Sequence, residues 1–193
     1  MYVARSENRI CQGDILEDFK HRFIYYQNEE KAIIEITLPY AIVLSQDCDL
    51  EQDYNQRNPP KGIVPQNNDK FLQSVLICPG YIAESFRTGE HLKKIGLTMQ
   101  SWNKEHWNYI KKNQNQRFHF FESDPGMGMP NIVIDFKQYY TIPRDEIYTI
   151  YKLQYKVSVA PIFREDISLR FANYLSRIGL PVIQTSVEQT AMT

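Results

Sequence analysis

The run Ala41-Ile42-Val43-Leu44 constrains the fold more than any other part of the chain. Four consecutive apolar residues, β-branched in the middle, predict a short strand buried on both faces, because a strand with one wet face alternates apolar and polar residues. A second run, Phe71-Leu72-Gln73-Ser74-Val75-Leu76-Ile77-Cys78-Pro79, has the same character and is ended by proline. Together they predict that Ala41–Ser45 and Val75–Cys78 are adjacent central strands of one curved, mainly antiparallel sheet. The first run gives way to Asp47-Cys48-Asp49, which suits a turn at the strand's end. From Glu51 to Lys70 the chain is polar, carries Pro59, Pro60 and Pro65, and shows no sustained periodicity, so a long surface loop is expected there.

Around these strands the remaining signals are mostly β. Gly13-Asp14 is a turn before Ile15-Leu16, and Phe23–Tyr26 and Ala32–Thr37 are β-rich runs joined by the polar Gln27–Glu30, as in a hairpin. A helical insertion is predicted over about residues 82–115. It comprises a short helix in Ser85–Leu92 and a second whose face is Trp102, His106, Trp107 and Ile110, with Ser101 as its N-cap. Arg117-Phe118-His119-Phe120-Phe121 alternates as a half-buried strand does, Ile132–Phe136 is a further strand, and Pro143-Arg144-Asp145-Glu146 starts a brief helix before a strand at Tyr155–Val159. The clearest helix is the last, about residues 162–178. Its stripe is Phe163, Ile167, Phe171, Tyr174, Leu175 and Ile178, and Gly179 and Pro181 end it. Eight or nine short strands with helices inserted and appended predict a single α+β domain over residues 1–193, built on a small curved sheet or barrel.

With 193 residues, 42% of them apolar, the chain can fill one sizeable core. A formal net charge of −1 gives no overall basic field that would advertise nucleic-acid or membrane binding. No stretch approaches the roughly 18 apolar residues a membrane span needs. Three cysteines without a C-x-x-C spacing, and no apolar leader, point to a reducing, cytoplasmic setting.

The local chemistry is modest. Asp47 and Asp49 are two residues apart and would share one side of an extended segment, where a cation or an acid–base pair is conceivable. Capping of a turn is the simpler role, and two acids without further ligands set no metal site. Cys48 has no base nearby in sequence and is expected, like Cys78, to be a small buried residue. Arg117 and His119, two apart on a strand, would share a face. An Arg beside a His can stabilise a pentavalent phosphate and move protons, which metal-free cleavage by a ribose 2′-hydroxyl requires. A solvated strand face is the plainer alternative.

In their order, Gly13-Asp14-Ile15, Ala41–Ser45, Val75–Pro79 and Ile134–Phe136 through Ile142–Ile147 resemble the MazF/PemK-type toxin family of SH3-like barrels. The resemblance covers about half the chain and leaves out residues 51–70, the insertion and the terminal helix. It implies a sequence-selective endoribonuclease of a bacterial toxin–antitoxin or defence system. Such an enzyme works on RNA without metal or cofactor, as a homodimer, and is neutralised by a protein partner such as an antitoxin. Ser74 is similar in position to the family's hydroxyl residue, so the implied catalytic set is Ser74, Arg117 and His119. The family's arginine before the central strand has no counterpart, because Leu38-Pro39-Tyr40 stands there. Two readings follow: an RNA-cleaving enzyme, or a catalytically inactive barrel that serves as a binding or regulatory component of a multi-protein defence complex.

Overall fold

A computed structural model of the protein describes residues 1–5, 8–27, 30–64 and 67–177. It is an α+β structure on one curled, antiparallel sheet. The two longest strands, β2 (Asp14–Gln27) and β3 (Glu30–Val43), follow a two-residue β1 (Tyr2–Val3). They form a hairpin in register from Gln27↔Glu30 to Ile15↔Ile42. The centre of its connection, residues 28 and 29, lies outside the described residues.

Strand β4 (Ser74–Ile82) pairs with β3 through Tyr40↔Gly80, Ala41↔Pro79, Ile42↔Cys78 and Val43↔Ile77. The two apolar runs are therefore neighbours at the centre of the sheet, as expected. Beyond β4 the sheet forks. Strand β6 (Ile132–Asp135) pairs with its Gly80–Ile82 end and carries β5 (Phe118–Phe121) outside it, while β7 (Tyr140–Pro143) pairs with Ser74–Ile77. Gly80 sits at the fork, where a Cβ would stand 3.0 Å from Ile134 Cδ1 and 3.1 Å from Tyr40 Cβ. A side chain there would have to displace Ile134 or Tyr40 by a few tenths of an ångström, so glycine suits the close approach. On the other flank β8 (Tyr155–Val159) pairs with the start of β2 and with β1.

Because side chains alternate across a strand, the central ladder divides the interior into two cores. Ala41, Val43, Ile77 and Tyr81 face one, and Tyr40, Ile42, Leu44 and Cys78 face the other. Four helices, α1 (Asp47–Arg57), α2 (Ala83–Thr88), α3 (Lys104–Lys111) and α4 (Arg144–Gln154), cover the first core through Leu50, Phe86, Trp107, Ile110, Ile147 and Tyr151. Helix α5 (Pro161–Leu175) covers the second through Ile167 and Phe171.

Several expectations need correction. Residues 47–57 form a helix rather than a turn and loop. Its only buried side chains are Leu50 and Asp53, so no apolar stripe announces it. Asp47 and Asp49 occupy its first turn, where carboxylates suit the helix dipole, and Cys48 is exposed, not buried. Asn103, not Ser101, caps α3, its side chain accepting from the His106 amide at 2.9 Å, and His106 is exposed. Strand β5 is buried on both faces because β6 and two cores enclose it. Helix α4 runs 11 residues and is not brief. In the last helix Phe163 and Leu175 are exposed, and Ile178 lies outside the described residues, as do Gly179 and Pro181. Among the described residues no helix is long and apolar enough to cross a membrane.

Phe171 is 7% exposed, and its ring centroid lies 5.5 Å from that of Phe136. Phe171→Ala should open a cavity under α5 and lower unfolding stability by about 3–5 kcal/mol, read from denaturant melts.

Candidate functional site

The residues implicated by sequence do not meet. Arg117 precedes β5 by one residue, so strand alternation does not fix its direction. Its guanidinium folds over the Phe118 ring at 4.8 Å and grips Asp135 through two hydrogen bonds, Nε to Oδ1 at 2.8 Å and Nη2 to Oδ2 at 2.6 Å. Asp135 is 1% exposed and pairs across β5–β6 with Phe118, on the face of the α1–α4 core. His119 pairs with Ile134 and points to the other face, under α5, with its ring 4.5 Å from that of Phe121. The two side chains thus lie on opposite sides of the sheet, not on one face. His119 is 3% exposed, and its pKa is lowered to about 3, first by burial and then by the nearby Arg170. Its Nδ1 has no hydrogen-bond partner among the described residues and stands 4.0 Å from Asp166 Oδ2. Such a ring is neutral at physiological pH, and burial keeps substrate from it.

Ser74 opens β4 and faces Pro143 of β7. Strand β6, which carries Asp135, joins β4 only from Gly80 onward, six residues or about 20 Å along the strand. Ser74 is therefore at the far end of β4 from Arg117 and His119.

The acidic stretch at the end of β3 has a supporting role. Asp47 accepts from Arg9 at 3.1 and 3.2 Å and from the Gln12 amide at 3.2 Å, with Arg164 of α5 at 3.8 Å. It ties α1, the N-terminal segment and α5 together. Nearby, the fully buried Asp14 accepts from the Cys11 amide, the Tyr151 hydroxyl and the Ser158 hydroxyl at 2.7, 2.9 and 2.5 Å. Burial pushes its carboxyl above the ordinary range despite those bonds. The Cys11 thiol takes a hydrogen bond from Arg5 and is pushed up to about 12, mainly by burial. A thiol in that state is no nucleophile at neutral pH. Among the described residues no group of three or more His, Cys, Asp or Glu side chains could hold a metal ion.

The feature that composition concealed is a cleft. After α2 the chain loops over the sheet and returns, closed by Met99 N–H to Gly89 O at 3.1 Å and Trp102 N–H to Arg87 O at 2.9 Å. Gly89 has φ +78°, and a Cβ there would overlap the Met99 carbonyl, so the closure requires glycine. Leu92, Ile95, Leu97 and Met99 hang from this loop over a floor of Ile36 and Tyr81, with Gln138 and Tyr140 as the opposite wall. The cavity measures about 360 Å³. A neighbouring cavity of about 240 Å³ shares Ile36, Tyr81, Leu92 and Ile95 and adds Glu35, Leu38, His91 and Lys94. Apolar walls with a few polar groups are what a binding cleft needs. Its sequence signal is slight: apolar residues at 92, 95, 97 and 99, after Gly89 and on both sides of Gly96, in a stretch that otherwise reads as polar.

No protein-family model matches the chain, and comparison with curated proteins and with solved structures likewise gives no match.

Removing Arg117 leaves the Asp135 carboxylate buried without its charge partner. Arg117→Ala should therefore cost about 3–5 kcal/mol of unfolding stability. Ser74→Ala, at a half-buried strand end, should stay within about 0.5 kcal/mol of wild type in the same melts.

Proposed function

We propose that the protein is a binding or regulatory component of a larger assembly rather than an endoribonuclease, and that the cleft beneath residues 92–99 receives an apolar group of its ligand. One observation carries this reading: the three side chains needed for metal-free RNA cleavage are dispersed and engaged elsewhere. Ser74 lies at the other end of β4, Arg117 is held by Asp135, and His119 is buried beneath α5. General acid–base catalysis needs a group within hydrogen-bond reach of the substrate, with a pKa near the working pH. A histidine at about 3 under a helix meets neither requirement. The cleft, by contrast, is open, and Leu97 at its rim is 49% exposed. The resemblance to a toxin family is consistent with a barrel that keeps a partner-binding role in a defence or toxin–antitoxin system.

Two measurements test the reading. Mixed-sequence RNA incubated with the protein in EDTA should remain intact. Cleavage that His119→Ala lowers by ~10²- to 10⁴-fold, with the variant still folded, would establish the endoribonuclease instead. The apolar dye 1-anilinonaphthalene-8-sulfonate should fluoresce on the folded protein, and Leu97→Glu should abolish that signal. Dye binding indifferent to Leu97→Glu would remove the cleft from the proposal.

A further inference from the structure

Strands β2 and β3 run well past the rest of the sheet. Of β2 only Asp14–Leu16 pair with β8, and of β3 only Tyr40–Val43 pair with β4, among the described residues. From Glu30 to Pro39 the outer edge of β3 therefore meets no other strand among the described residues. Near its base the ribbon is packed, with Phe19, His21, Ile36 and Leu38 buried. Farther out it is not: Ile33 is 67% exposed and the Arg22 side chain 71% exposed. A two-stranded ribbon gains little stability from pairing alone, and an open edge invites another strand.

Side chains on one face of β3 show which strand fits. Lys31, Ile33, Glu35 and Thr37 alternate along the solvent face, all exposed. Charges on an edge ordinarily keep strands apart. Here their signs are arranged about a centre. If two copies of β3 lie antiparallel with Ile33 facing Ile33, Lys31 of each copy stands opposite Glu35 of the other. The apolar residue pairs with itself, and both flanking pairs are attractive. Glu35 already accepts from Arg22 at 2.7 Å and has Lys20 at 4.0 Å on its own ribbon, so the Lys31 of the second copy would join a charged cluster already in place. A two-fold interface must be self-complementary in this way.

We propose that the outer edge of β3, centred on Ile33, is a dimerisation surface on which a second copy of this chain docks antiparallel, making a four-stranded ribbon across the two-fold axis. The same edge borders the smaller cavity, which Glu35, Ile36, Thr37 and Leu38 line, so a docked strand would lie against it.

The test uses the full chain. Sedimentation velocity over a concentration series should show a monomer–dimer equilibrium. In a Cys48→Ala background, Ile33→Cys should form an intermolecular disulfide under mild oxidation much faster than Val64→Cys, a control at another well-exposed position (74%). Cα atoms of directly opposed residues are about 4.5–5.5 Å apart, within disulfide range. Lys31→Glu turns both symmetry-related pairs repulsive and should raise the dimer dissociation constant roughly tenfold, with the far-ultraviolet circular dichroism unchanged. A chain that is monomeric throughout overturns the proposal. So does a dimer in which Ile33→Cys cross-links no faster than Val64→Cys, or in which Lys31→Glu leaves association unchanged.

Discussion

The ladder between Tyr40–Val43 and Ile77–Gly80 is the constraint on which the rest of the structure depends. Both strands are buried on both faces, so each face demands its own cover, and the chain supplies four helices for one and α5 for the other. Near Gly80, β4 changes neighbours from β7 to β6, which carries β5 on its outer side. This arrangement also separates the two residues that looked catalytic. Alternation sends His119 toward α5, while Asp135 draws Arg117 to the opposite face. Their separation follows from a double-sided sheet in which neighbouring positions serve different cores.

Buried aspartates hold the covering elements where apolar packing is thin. Asp53 is 1% exposed and receives Arg57 at 2.7 Å, Arg144 at 2.8 Å and the Leu72 amide at 3.0 Å, joining α1, the segment before β4 and α4. Asp14 gathers Cys11, Tyr151 and Ser158 around the start of β2. Asp135 locks the approach to β5 onto β6. Buried ion pairs add little net stability compared with apolar packing, but breaking one is costly, so they fix geometry more than they strengthen it. Around the cleft, Gly89 closes the loop and apolar residues supply most of the lining.

Much of the sheet was legible in the sequence because its signals are local. The apolar runs at 41–44 and 75–78 predicted central strands, and the β-rich runs on either side of residue 28 predicted a hairpin. The last helix was visible through Ile167 and Phe171. Helix α1 was not legible, because a single leucine and a buried aspartate anchor it, and its long-range partner Arg144 is 91 residues away from Asp53. The pairing expected of Arg117 and His119 failed for a related reason: it assumed one strand with one wet face, whereas a tertiary salt bridge redirects Arg117 and α5 covers His119. The cleft was hidden because its lining comes from β3, β4, the 92–99 loop and residues 138–140, and no short window of sequence contains them.

The ionisation of His119 tests the central claim most directly, since that claim makes the residue part of the core rather than of an active site. Nitrogen-15 resonances of its ring, followed through a pH titration of the folded protein, should keep the neutral pattern from pH 8 down to at least pH 5, in line with a pKa of about 3. A ring that titrates with a midpoint between 6 and 7 would be solvated and available for proton transfer, and would contradict this account.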